Sequence, residues 1–210
     1  GPTFLRTGSS LPATRIMPFY FADIVALEAA GQFEAVILHE MAHVLGLGTI
    51  WSTFGLTSGI GGPNPRFTGA AATAEYNAIF GVSETSVPVE NDGGPGTAGG
   101  HWEQDDLRNG LTVAFGNELM TGFLSPAPNP ISRVTVAQWQ DLGYVVDISQ
   151  ADPFTPNLLA LTQGSSPTGS TVEGYTMALQ PEQARAARIN PSSLAQRGLV
   201  NLALDEPNDT

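Results

Sequence analysis

The chain has 210 residues and carries 20 acidic side chains against 8 basic ones, a formal net charge of −12. All eight basic residues are arginine, and no basic stripe of the kind that binds nucleic acid or an anionic membrane surface occurs, so neither is an expected partner. Cysteine is absent, which excludes disulfides, thiolate metal sites and cysteine nucleophiles.

No apolar run approaches the ~18 residues that span a bilayer, and no internal repeat occurs. The chain opens on Gly1-Pro2, which reads either as a scar left by a tag-removing protease or as the start of a matured or trimmed piece of a larger precursor. Residues 15–21 are bulky and apolar enough for a strand, with Pro18 placing it at a sheet edge. Residues 32–45 are apolar nearly all round (Phe33, Val36, Ile37, Leu38, Met41, Val44, Leu45), which predicts a buried helix. Gly46 stops it, because glycine takes a left-handed backbone without a Cβ clash. A second helix is expected over 68–80, capped by Thr68 and followed by Gly81. Ser132 caps a third over 134–142, ended by Gly143, and residues 144–148 read as extended. A helix over 181–189 is the one element expected in the weakly periodic tail. The 24 glycines and 16 prolines cluster at 59–65, 91–100 and 125–130, which read as loops.

Chemistry concentrates on the helix over 32–45. It contains His39-Glu40-Met41-Ala42-His43, an H-E-x-x-H pattern. Residues four apart share a helix face, so both imidazoles can aim at one ion, with Glu40 beside them to act on a water. Two histidines and a glutamate on an otherwise apolar helix are costly to bury without a metal or partners. The third ligand is less plain. Thermolysin-like enzymes take it from a downstream glutamate, but no Asp or Glu occurs between His43 and Glu75. An H-x-x-G-x-x-H continuation finds its glycine in Gly46 but has Thr49 at the histidine place. His101, after the glycine-rich run 91–100, is the one histidine left. It reads either as a third ligand or as a surface loop residue.

HEMAHVLGLG at 39–48, GGHWE at 99–103 and FGNELMTGFLSP at 115–126 resemble the leishmanolysin family of zinc metallopeptidases. FTGAAATAEYN at 67–77, VPVEN at 87–91 and ISRVTVAQWQDLGYVVD at 131–147 extend the resemblance over residues 15–154. It implies an α+β, metzincin-like zincin fold. Within a catalytic domain over 1–148, a shortened upper β-sheet part spans 1–46 and a loop-rich lower part spans 47–148, with a family-type insertion over 47–100. Residues 149–210 are then an extension of unknown role. The resemblance further implies one catalytic Zn2+ held by His39, His43 and His101, Glu40 as general base, and Met120 in a methionine turn beneath the site. Glu103 and Asn117 adjoin family motifs, as groups that support the site or fix its loops. Tyr144 matches the zinc-proximal tyrosine of some metzincins too loosely to be carried over.

The resemblance implies a secreted or cell-surface endopeptidase acting on proteins or peptides. An extended substrate is expected to pair with the edge strand near Tyr20 and Phe21. Three departures stand out. Eukaryotic members are rich in cysteine and this chain has none, which suggests a bacterial-type relative. Residues 105–113 look like an extra stretch, and only 38 residues precede His39, few for a full upper subdomain. Two other classes compete. One is a catalytically silent zinc-binding surface or adhesion module of the same fold, against which the intact H-E-x-x-H argues. The other is a Ca2+-stabilised structural protein, suggested only by the acidic charge and Asp105-Asp106, with no D-x-[DN]-x-[DN]-G loop to support it.

Overall fold

The computed structural model describes residues 4–14, 17–18, 21–105 and 114–156, and the backbone of 186–187 and 200–201. The elements ahead of the chemistry-bearing helix are β1 (Phe4–Leu5), β2 (Pro12–Thr14), β3 (Met17–Pro18) and α1 (Phe21–Ala29). That helix is α2 (Phe33–Val44). It is followed by β4 (Thr57–Ser58), β5 (Arg66–Phe67), α3 (Ala70–Phe80), β6 (Val87–Pro88) and α4 (Arg133–Asp141). β7 (Val145–Val146), a 3-10 turn at Ile148–Gln150, β8 (Ala186–Ala187) and β9 (Val200–Asn201) complete the described elements. The strands pair antiparallel in small separate sheets: β1–β2, β3–β8, β4–β5–β6 and β7–β9. Helices and antiparallel strands together fit an α+β class, although the strands described before α2 are short ones rather than a broad twisted sheet.

Two expected elements are corrected. Of the strand expected over 15–21, Met17–Pro18 is extended, but Phe21 opens α1. The bulky run looked like a strand because it is apolar. It continues, however, into Ala22–Ala29, where alanine, leucine and glutamate favour a helix. Tyr20 lies outside the described residues. The helix expected over 181–189 is contradicted at Ala186–Ala187, which pairs with Met17–Pro18 as a strand. Cross-strand pairing there overrides alanine's helix propensity; the rest of 181–189 lies outside the described residues. The extended run expected at 144–148 is narrower as well, since Ile148 already belongs to the 3-10 turn.

α3 and α4 pack on each other and are joined at a helix end. α3 starts at Ala70 rather than at 68 and is capped differently. Gly69 occupies the N-cap position and Thr68 does not cap. The free amides of Ala71 and Ala72 donate instead to the Asp141 carboxylate at the far end of α4, at 2.8 and 2.9 Å. A Cβ on residue 69 would lie 2.3 Å from Asp141 Oδ2, so glycine is needed for that carboxylate to reach the amides. α4 has the expected cap, with Ser132 Oγ accepting from Thr135 N–H.

The core between these helices is aromatic. Trp51, which follows α2, packs against Trp102 with ring centroids 4.9 Å apart and planes tilted by 30°, and Phe67 meets both rings. Trp102 continues to Phe115, which contacts Tyr76 and Phe80 of α3. All six rings are buried. Aromatic contacts of this kind contribute about 0.5–1.5 kcal/mol each beyond their buried area, enough to make the floor under residues 101–102 stiff. The packed body runs past residue 148: Phe154 reaches Phe80 and Phe115, and Asp152 exchanges hydrogen bonds with Ile131.

Candidate metal centre

α2 delivers His39 and His43 one turn apart on the same face. Its end is shaped to orient the second ring. Gly46, at φ +109°, lets the chain fold back so that Leu47 N–H donates to Ala42 O. That turn places Leu47 O 2.9 Å from His43 Nδ1. A side chain at Gly46 would also run into Ile50 Cδ1 at 2.6 Å. Thr49 has a different task from the ligand that an H-x-x-G-x-x-H pattern would place there. Its hydroxyl donates to His43 O at 2.9 Å, a helix-end carbonyl that also accepts Gly46 N–H at 3.2 Å.

His101 arrives from far along the chain. The polypeptide leaves α2 at Gly48 and returns at Gly100, so close that a Cβ on Gly48 would lie 2.0 Å from Gly100 O. Glu90 pins the returning loop from both sides, accepting from Gly99 N–H at 2.8 Å and donating to His101 O at 2.9 Å. Trp102 N–H then donates to Met120 O at 2.9 Å.

All three imidazoles are oriented in the same way. His39 Nδ1 donates to Leu119 O at 2.8 Å, His43 Nδ1 to Leu47 O at 2.9 Å, and His101 Nδ1 to Thr97 O at 2.8 Å. A carbonyl only accepts, so each Nδ1 carries the proton and each Nε2 turns a lone pair inward. The three Nε2 atoms stand 2.9–3.1 Å apart. With the protons on Nδ1, these nitrogens cannot bond to one another, and a cation at their centre is what satisfies them. Tetrahedral zinc with Zn–N bonds of ~2.0–2.1 Å would hold such nitrogens about 3.3 Å apart, so the donor set fits the ion with slight spreading. Burial favours the neutral, ligand form: it holds His39 below the ordinary imidazole value and takes His101, with the nearby His39 charge as second cause, down to about 3. Among the described residues, this is the one group of three or more histidine or carboxylate side chains placed to share an ion.

Glu40 follows His39 on α2 and is half-buried. Met120 is fully buried, and its neighbour Leu119 supplies the carbonyl that orients His39. Glu103 is fully buried, and its backbone bridges Pro88 and Phe115. Asn117 fixes a loop, its amide donating to Pro128 O at 2.8 Å. Tyr144 is raised to about 12 by burial and feels the charge of Arg6. Phe21 sits at the start of α1, and Asp106 lies outside the described residues.

Sequence reasoning missed Glu118. It is fully buried, and four donors converge on its carboxylate: Met120 N–H on one oxygen, and Ser132 N–H, Ser132 Oγ and Thr135 Oγ1 on the other. Burial raises its carboxyl while those donors draw it back. The available signal was its position in Glu118-Leu119-Met120, a charged residue directly ahead of the methionine turn. The carbonyls of Leu47, Thr97 and Leu119 leave no mark in a sequence at all.

The chain matches the leishmanolysin family model over residues 9–156, a span that contains α2, all three histidines and the Glu118–Met120 turn. No curated protein matches it. The match covers well over half of the sequence, and the chain belongs to the leishmanolysin family of zinc metallopeptidases.

Proposed function

We propose that this chain is a zinc-dependent endopeptidase in which His39, His43 and His101 hold one catalytic ion and Glu40 is the general base. The observation that carries the reading is the convergence of three Nε2 lone pairs within 3.1 Å, each fixed by a backbone carbonyl behind its ring. Zinc held by these three neutral nitrogens would keep one position open to water, as catalytic rather than structural sites do. Zinc so held supplies Lewis acidity, making an attacking water acidic near neutral pH and polarising a peptide carbonyl. Glu40 takes the proton from that water as it attacks the carbonyl carbon. It then passes the proton to the leaving amine as the C–N bond breaks. Met120 forms the buried floor of the site, and Gly46 lets the helix end fold back so that Leu47 O reaches His43 Nδ1. The catalytic unit is residues 1–148, with Asp152 and Phe154 packed onto it. Secretion or surface display and a bacterial-type origin belong to this proposal through the family.

The test is Glu40→Ala with zinc content and cleavage of an unstructured protein measured together. Zinc retained with activity down by about 10²–10⁴-fold is expected. Wild-type rates in the variant would remove Glu40 from the mechanism. A wild-type chain that binds zinc but cleaves nothing would favour the silent zinc-binding module.

A further inference from the structure

We propose that Glu118 is the positioning residue of the metal centre, tying the turn that orients His39 to the segment that carries His101. The proposal rests on the zinc reading above and concerns how the ligands are held.

The carboxylate is the hub of a closed network. On one side, Glu118 Oε2 accepts Met120 N–H at 2.5 Å, while Glu118 O accepts from the Thr121 hydroxyl at 2.8 Å and from Thr121 N–H. These bonds fold residues 118–121 into a turn that presents Leu119 O to His39 Nδ1. On the other side, Oε1 accepts Ser132 N–H at 2.9 Å, Ser132 Oγ at 2.8 Å and Thr135 Oγ1 at 2.5 Å, all at the start of α4. The direction of these bonds is forced. Trp102 Nε1–H can only donate, and it donates to Thr135 Oγ1 at 2.8 Å, so the threonine proton is free to point at Glu118. Trp102 is the residue after His101, and its own N–H donates to Met120 O. One buried carboxylate therefore links the orienting carbonyl of one ligand to the backbone next to another.

Two features separate this from ordinary core satisfaction. Every group in the network has its partner, so it specifies one arrangement rather than several. It also needs a carboxylate in particular, because both oxygens face donors. A glutamine in the same place must set its NH2 against at least one of them. With the amide oxygen kept toward Ser132 and Thr135, the NH2 opposes Met120 N–H, and the turn under His39 is what loosens. Groups that orient metal-bound histidines typically change affinity by about 10–100-fold when altered.

The experiment uses Glu118→Gln and Thr135→Val in the full chain. Zinc affinity is read by chelator competition, and ligand geometry by the visible absorption of the Co2+-substituted protein. Circular dichroism at the assay temperature establishes that each variant is folded. Glu118→Gln should bind zinc ~10–100-fold more weakly and shift the cobalt bands. Thr135→Val, which removes the hydroxyl linking Trp102 to Glu118, should weaken zinc measurably but by less than ~10-fold. A folded Glu118→Gln protein with wild-type zinc affinity and an unaltered cobalt spectrum overturns the positioning role, leaving Glu118 a stability residue. Should Glu118→Gln not fold, Thr135→Val decides: weakened zinc supports the role, and unchanged zinc overturns it. A wild-type chain that takes up no zinc overturns the zinc reading itself and this proposal with it.

Discussion

Two regions bring ligands to the same point by different physics. His39 and His43 share a face of α2, so their separation is set by the pitch of a helix and needs nothing from the rest of the chain. His101 sits at the end of a glycine-rich loop and is placed entirely by tertiary contacts: Glu90 on both flanks, Thr97 behind the ring, Met120 beside Trp102, and Gly48 against Gly100. The helix pair is robust because its geometry is local. The loop ligand is accurate only as long as each of several distant contacts survives. Mutations in the loop and its contacts should therefore displace His101 while the spacing of the α2 pair is kept, although the ring of His39 still takes its orientation from Leu119 O.

The sharpest way to break this contrast is Gly48→Ala. Gly48 has φ +68°, and its Cβ would meet Gly100 O at 2.0 Å, backbone against backbone with no side chain to give way. We expect a loss of about 3–5 kcal/mol in stability and zinc binding weakened by ~100-fold, read by denaturant melts and chelator competition. Gly94→Ala is the control. Its φ of +70° is nearly the same, but nothing lies within 4 Å, so only the backbone penalty of about 1–2 kcal/mol remains. If both variants lose equally, close approach at Gly48 is not what holds the loop.

The same contrast explains what was readable in advance. The α2 ligands were legible because H-E-x-x-H encodes helix geometry in five residues. His101 was reachable as the last histidine of the chain and through the family motif around it, but nothing in the sequence shows how Glu90 and Thr97 hold it. Glu118 was passed over because its partners, Ser132 and Thr135, come later in the chain and meet it only after folding. The cap of α3 was assigned to Thr68, the nearest hydroxyl, whereas the amides are served by Asp141 on another helix. The boundary at Phe21 failed differently. A run of bulky apolar residues does not reveal its own period, so 15–21 looks like one element where a short strand gives way to a helix.

Acid should separate the ligands from the scaffold. Burial holds His39 and His101 neutral in the fold, His101 down to about 3, while in the unfolded chain both titrate near the ordinary 6.5. Between those values the unfolded state binds more protons than the folded one. Stability of the zinc-free chain is therefore fully present above pH 6.5 and declines as pH falls toward 3. Each histidine contributes up to about a tenfold change in the folding constant per pH unit. Urea melts of chelator-treated protein from pH 7.5 to 4 should show this slope, and His101→Asn should make it shallower. An unchanged slope in that variant would mean that His101 is not held neutral by burial.

α3 and α4 allow a gentler test, away from the ion. Asp141→Asn keeps the size of the side chain but removes its charge and turns an NH2 toward one of the amides of Ala71 and Ala72, and should cost about 1–2 kcal/mol. Zinc affinity should stay at the wild-type level, because α3 carries no ligand. A matching fall in zinc affinity would show that the packing of α3 on α4 is transmitted to the site.

The smallest effect is expected where the same two helices are joined in the open. Arg133 Nε and Nη2 donate to the two Glu75 carboxylate oxygens at 2.6 and 2.9 Å, a bidentate pair with good geometry. Yet the arginine side chain is 49% exposed, so water and salt screen the attraction, and holding a long side chain in place costs entropy. Arg133→Ala should lose only ~0.5 kcal/mol at low salt, and the loss should shrink further as salt is added. Zinc affinity and the cobalt spectrum should be those of wild type. Arg133 lies between Ser132 and Thr135, both bonded to Glu118, so the variant also asks whether disturbing the surface of this turn is felt inside it. A loss well above 1 kcal/mol, or one that does not respond to salt, would mean that the Arg133–Glu75 pair reinforces the buried network below it.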